Sequence, residues 1–302
     1  MRRSRVAAVL TATAVATVLS LCRPAAAYVR YKTDSGNGFS WGQISVPITA
    51  YPDDFVQPTM TADQVGSAAL DAANAWSSGE NPCTYLNLVL SVSTDPTPIP
   101  AYDHRNTLVF RSTSWCQLAA DGTCESDYDT MALAVTGDTA NKKTGQIYDS
   151  DIEINTLDYN WADVTADASL SNDMDLQNAI THEMGHLIGL DHTCFNPLSG
   201  LPQPTDNNGQ PVPDCDQASL AVQATTMYPS AMMGDTQKRT LAPDDQAGLC
   251  GIYPVDDPPQ PAGGCASCAT VPAPVDGLEL VGFGIFAALL ASGRRARRKA
   301  RR

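Results

Sequence analysis

Polar and apolar residues alternate along several short stretches of this chain, and elsewhere apolar residues return every three or four positions. Ile44, Val46 and Ile48 alternate with polar neighbours and predict a strand near the start of the body. Val65, Ala69, Ala72 and Trp76 recur at helical spacing, so Thr61–Ser77 predicts a helix capped by Thr61 with Asp63 in its first turn. Further strands are expected at Leu86–Val92, Thr107–Phe110, Met131–Thr136 and Gly145–Asn155, the last alternating Ile147, Ile152 and Ile154 with acids. A long helix is expected over Asp175–Leu190, and a short one over Pro243–Leu249 with Pro243 in its first turn. No internal repeat is visible.

The ends break these patterns. Arg2, Arg3 and Arg5 precede an apolar run from Val6 to Leu21 and the small residues Ala25-Ala26-Ala27, so Met1–Ala27 reads as a signal peptide. A lipid-carrying Cys22 is the competing reading, although Leu21 is large for such a site. The body then spans Tyr28–Val255, Asp256–Gly277 is a linker rich in Pro, Gly and Cys, and Leu278–Arg302 holds an apolar stretch and an arginine-rich terminus.

Charge and cysteine usage narrow the class. Of 19 Lys and Arg, four fall in the first 23 residues and seven in the last nine, leaving 8 against all 33 acids in between. So acidic a body excludes nucleic acid as a partner, because such binding needs basic surface. Cys83, Cys116, Cys124, Cys194, Cys215 and Cys250 in an exported body read as disulfides. They allow fifteen pairings, of which Cys194 with Cys215 is mildly favoured because it would close a Pro/Asn/Gly-rich loop.

The chemistry concentrates at one place. Three of the four histidines lie in Thr181-His182-Glu183-Met184-Gly185-His186-Leu187-Ile188-Gly189-Leu190-Asp191-His192, a spacing with a chance probability on the order of one in a million. Residues four apart share a helix face, so His182 and His186 can present two imidazoles to one ion. Gly189 permits a positive-φ turn that returns His192 as a third ligand. Three imidazoles and an open position make a catalytic zinc arrangement, with Glu183 as the general base acting on zinc-bound water and then passing the proton to the leaving amine.

This H-E-x-x-H-x-x-G-x-x-H pattern, followed by Thr225-Thr226-Met227-Tyr228-Pro229 and by Leu241-Ala242-Pro243-Asp244-Asp245-Gln246, resembles the metzincin metallopeptidases, most closely the matrixin branch. The resemblance implies an α+β fold: a twisted mixed β-sheet, an active-site helix, and a small C-terminal subdomain after the third zinc histidine. It implies one catalytic Zn2+ on His182, His186 and His192, Met227 in a tight turn beneath it, and Asp244 and Asp245 supporting that turn. Met131–Thr136 would be the edge strand along which a protein or peptide substrate pairs in extended form. Asp149, Asp151 and Glu153 stand where matrixins have Ca2+ ligands, and Asp121, Glu125, Asp127 and Asp129 form a second acidic group; for both, Ca2+ is the alternative to the favoured reading as solvated loop acids.

The chain departs from the matrixins in carrying no cysteine-switch propeptide, only His104 beyond the motif, and a longer segment between His192 and Met227. That last feature, opening with Thr193-Cys194, resembles pappalysin-type metzincins, the alternative within the class. Gly263-Gly264-Cys265, the apolar run and the arginine cluster resemble the C-terminal sorting tails of myxobacterial exported proteins. This likeness implies transient membrane insertion of the tail, a tail-processing sorting peptidase as partner, and a secreted or cell-surface destination. A non-catalytic surface-binding protein on the same fold is the reading from a different class, and the intact Glu183 speaks against it.

Overall fold

The computed structural model describes residues 27–260 and 278–288. Its main sheet is built from β3 (Ser45–Ala50), β4 (Asn87–Val92), β5 (Asn106–Arg111), β8 (Ala132–Asn141) and β9 (Gln146–Asn155). The short β13 (Ser230–Ala231) and the terminal β14 (Leu278–Ala288) extend it to the order β13-β14-β8-β9-β5-β3-β4. Strands β3, β4, β5 and β9 run parallel, whereas β8 is antiparallel to β9. The small β2 (Ser40–Trp41) adds a parallel pair to β9. Outside the sheet, β6 (Cys116–Leu118) pairs antiparallel with β7 (Cys124–Asp127), and β10 (Trp161–Ala162) pairs in parallel with β11 (Met174–Asp175). The described body is therefore mixed α/β, with a parallel and antiparallel sheet and few helices.

Helices α1 (Ala62–Ala75) and α2 (Leu176–Leu187) cover one face of the sheet. Thr61 caps α1 and Gln64 returns the bond, so both orphan amides are met. The buried Ala69, Ala72 and Ala73 let α1 sit close to α2, where the Trp76 indole N–H donates to Thr181 O at 2.7 Å. Isoleucines 48, 152 and 154 with Leu108 and Phe110 supply the sheet side of this core. Helix α2 starts at Asp175, whose side chain accepts from Asn178 N and is clamped by Arg239. It stops at Leu187, short of the expected Leu190, because Gly189 takes φ +95° and turns the chain into β12 (Leu190–Asp191). A Cβ at 189 would lie 2.6 Å from Phe39 O, so both sterics and backbone angle demand glycine there. The N-terminal β1 (Val29–Arg30) pairs with β12 and holds this turn. Beyond it come the short α3 (Leu220–Gln223) and α4 (Pro243–Ile252), the latter three residues longer than its sequence pattern suggested.

Cys83–Cys250, Cys116–Cys124 and Cys194–Cys215 are bonded. The first closes 167 positions of sequence and ties α4 to the loop after α1, which in the chain-entropy picture is worth about 5 kcal/mol. Three disulfides suit an oxidising, extracellular setting. The signal peptide before Ala27, Cys22, and the Gly263-Gly264-Cys265 part of the expected sorting tail lie outside the described residues. Among the described residues no helix is long and apolar enough to cross a membrane.

One expectation changes. The sequence puts Met131–Thr136 at the free edge of the sheet, yet β14 pairs antiparallel along the whole outer side of β8. An open row of strand N–H and C=O groups is a template for any available strand, and Leu278–Ala288 fills it.

Candidate metal centre

His182 and His186 project from α2 one turn apart and are fully buried, as their i, i+4 spacing requires. His192 arrives from the turn after Gly189 and completes a cluster whose ligand atoms all lie within 4.8 Å of one another. The His192 Nε2 is 3.3 Å from that of His182 and 3.1 Å from that of His186. Nitrogens bonded at 2.0–2.1 Å to one tetrahedral zinc sit about 3.3–3.4 Å apart, so the spacing suits such an ion.

The outer nitrogens agree. His182 Nδ1 donates to Thr226 O at 2.6 Å and His186 Nδ1 to Leu190 O at 2.9 Å, which puts the lone pair of each ring on Nε2. The Tyr31 hydroxyl also approaches His186 Nδ1, at 3.3 Å. Burial, then the nearby Lys238 cation and the other rings, hold His182 well below the usual imidazole range. His192 is held well below it too, by burial first and His186 next. Burial takes His186 down to about 4. Two rings with their lone pairs on Nε2 and a third whose Nε2 lies within 3.3 Å of both make a group that could hold a metal ion.

Glu183 follows His182 on α2 and is fully buried. Its Oε2 accepts from Thr136 Oγ1 of β8 at 2.5 Å, while its Oε1 has no hydrogen-bond partner among the described residues. Burial pushes its carboxyl up to about 8, against the opposing pull of Thr136 and Lys238. Met227 is buried under the helix, and a Cβ at Gly185 would collide with its Sδ. The glycine between the two helical histidines therefore serves close approach of Met227, not helix formation.

The two aspartates of the final helix divide. Asp245 is buried and accepts from Thr226 N at 2.7 Å and Met227 N at 3.0 Å, so it fixes the turn that in turn holds His182. Asp244 does not touch that turn; it accepts from Ala27 N at 2.6 Å. Thr193 N donates to Met227 O, which joins the segment after the third histidine to the same turn.

Asp149, Asp151 and Glu153 lie on the opposite face of β9, and the structure gives them other work. Asp149 Oδ2 accepts from Asp103 N and Arg105 N; Asp151 accepts from Thr107 N, Thr107 Oγ1 and Ala101 N. Glu153 receives the Tyr128 hydroxyl at 2.7 Å and the Arg111 guanidinium at 3.0 Å. Asp149 and Asp151 pin the 101–107 loop, and the three acids do not come together as a metal-holding group among the described residues. Asp121, Glu125, Asp127 and Asp129 are exposed around the β6–β7 pair, with Asp121 bonded to Thr123 and Asp129 to Met131 N. Among the described residues, the three histidines are the group that comes together as a metal site. His104 is exposed and bonds the Tyr102 hydroxyl, away from that group.

Sequence reasoning missed Thr136, Tyr31 and Lys238. Thr136 and Tyr31 reach the site through nonlocal packing that no spacing announces. Lys238, between Gln237 and Arg239, looks like surface charge; it is buried instead, its Nζ donating to Tyr228 O and lying 5.6 Å from the Tyr228 ring centroid. Burial takes its amine down to about 7.

No protein-family model matches the chain, and no curated protein matches it. Among solved structures, the crystal structure of myroilysin is similar with a TM-score of 0.32 and 15% identity, covering 76% of this chain and 91% of that one. A likeness that loose carries no argument about the site. The chain's own residues do: on a mixed α/β body with three disulfides, two buried imidazoles and the half-buried His192 come together as a group that could hold a metal ion.

Proposed function

We propose that this chain is an exported zinc-dependent endopeptidase of the metzincin kind, matrixin-like in its motif and its Met227 turn. The observation that carries the reading is the convergence of three Nε2 atoms, with the buried Glu183 next to His182 on the same helix and its Oε1 without a partner among the described residues. His182, His186 and His192 would hold the zinc, and their Nδ1 bonds to main-chain oxygens keep two of the rings in the ligating tautomer. When bound, zinc supplies a Lewis acid that acidifies water and polarises a carbonyl.

The remaining steps belong to the protein. Glu183 takes the proton of the attacking water on Oε1 and returns it to the leaving amine, so atoms and charge balance over one hydrolysis. Thr136 orients the carboxylate by holding Oε2, leaving Oε1 for the transfer. Asp245 and Met227 keep the floor of the site rigid. A substrate would lie extended along β8, its backbone meeting the strand's outer N–H and C=O groups.

The test is Glu183→Gln. Casein or gelatin cleavage should fall by roughly 10²–10⁴-fold, the usual share of a general base, with zinc still bound at one per chain. Cleavage equal to the unaltered protein overturns the mechanism; zinc bound without cleavage in either form favours a non-catalytic binding protein.

A further inference from the structure

The outer side of β8 is already occupied by the chain itself. Strand β14 runs antiparallel to β8, with Ile285 opposite Val135, Gly284 opposite Thr136 and Phe283 opposite Gly137. On its other side Ala287 and Ala288 pair in parallel with Ser230 and Ala231, just beyond the Met227 turn. The backbone of β14 thus bridges the strand that bears Thr136 and the segment that follows Met227, and Thr136 bonds the Glu183 carboxylate. An extended ligand held by both walls would have this same course.

We infer that Leu278–Ala288 is an intramolecular occupant of the substrate cleft, which keeps the intact chain closed to other extended strands until the tail leaves. The inference rests on the peptidase reading only in calling the outer edge of β8 the substrate's place. Its physical basis is effective concentration. Only 17 residues, 261–277, separate β14 from the described body, and a linker that short raises the effective concentration of what it carries, to the order of millimolar. A segment that would bind weakly as a free peptide therefore stays in place, and a diffusing substrate must displace the eight residues registered to β8. The same segment is the apolar stretch expected to enter the membrane, so delivery of the tail elsewhere, or its removal, would open the cleft.

The experiment uses the full chain with a recognition sequence for a specific endoprotease inserted after Gln260, cut after folding. Amide hydrogen exchange of β8 is measured in a Glu183→Gln background, so that the protein cannot trim its own tail. Before cutting, the outward amides of β8 should exchange at least about 100-fold more slowly than after cutting and removal of the tail. In the Glu183 form, hydrolysis of an extended peptide should rise at least about 10-fold on cutting.

A second variant leaves the chain uncut. Phe283→Pro with Gly284→Pro removes two consecutive N–H groups, one of which faces β8 whichever way the strand is phased; it should reproduce the fast exchange. Equal exchange of β8 before and after cutting, or hydrolysis unchanged by cutting, overturns the inference. Slowed exchange in the uncut chain with no hydrolysis in any form supports the occupancy and counts against the peptidase reading.

Discussion

Two clusters of metal-competent side chains sit on this molecule, and they have opposite fates. On α2 and the turn after it, three imidazoles direct Nε2 inward while main-chain oxygens take the Nδ1 protons of His182 and His186. On the far face of β9, Asp149, Asp151 and Glu153 are equally close in sequence, yet main-chain amides and the side chains of Thr107, Tyr128 and Arg111 meet several of their oxygens. The difference lies in what the surroundings donate. A ring whose outer nitrogen is satisfied presents its other lone pair; a carboxylate surrounded by N–H groups has become a loop anchor. Ligand type and spacing are therefore insufficient without the partners of the remaining atoms.

The largest effect that would break this contrast is exchange of the clusters' roles. His192→Ala should weaken zinc binding by roughly 10²–10³-fold, a one-ligand share of typical zinc site energies, as read by competition with a chelator dye. Asp151→Ala should leave zinc content unchanged. It should lower unfolding stability by about 2–4 kcal/mol, because Thr107 N, Thr107 Oγ1 and Ala101 N lose their acceptor. Zinc loss in the aspartate variant would mean that the two clusters are one system.

A middle-sized effect separates Asp245 from Asp244. Asp245→Ala strands the amides of Thr226 and Met227 and should weaken zinc affinity about 10–100-fold through the His182 bond to Thr226 O. Asp244→Ala, which leaves the Thr226 and Met227 amides bonded to Asp245, should change neither affinity nor stability by more than about 0.5 kcal/mol.

The smallest effect is a pH slope. Burial carries Asp151 up to about 8, above the ordinary value of about 3.9. Folding then takes up a proton between those values. The stability this group contributes is complete below about pH 4 and is lost as pH rises through about 8. Asp151→Asn should lower the Tm outright, since an amide N–H then opposes a main-chain donor, and should flatten the decline of Tm between pH 5 and 8. An unchanged slope would show that this carboxyl is ionised throughout.

Local information explains which parts of this were legible in advance. The His182–His192 spacing, the Gly189 turn and the Thr61 cap are set by residues within one or two turns of each other, and each lies where its pattern suggested. Helix limits drifted by a few residues because ends are settled by packing, as where β1 pairs with β12 and holds the turn. What could not be read was nonlocal. Thr136 reaches Glu183 across 47 positions, Lys238 is buried in a segment that looks like surface, and the terminal apolar stretch covers the edge of β8. The split between Asp244 and Asp245 was hidden for a related reason: adjacent residues on a helix point some 100° apart, and only the tertiary structure tells which one meets the turn.

The account stands most directly on the coordination of a single zinc ion. An X-ray absorption spectrum at the zinc edge of the purified chain should show three imidazole nitrogens and one further light-atom ligand at about 2.0–2.1 Å, with the imidazole signal reduced in His192→Ala. A zinc shell containing sulfur, four imidazoles, or no bound zinc at all would contradict it.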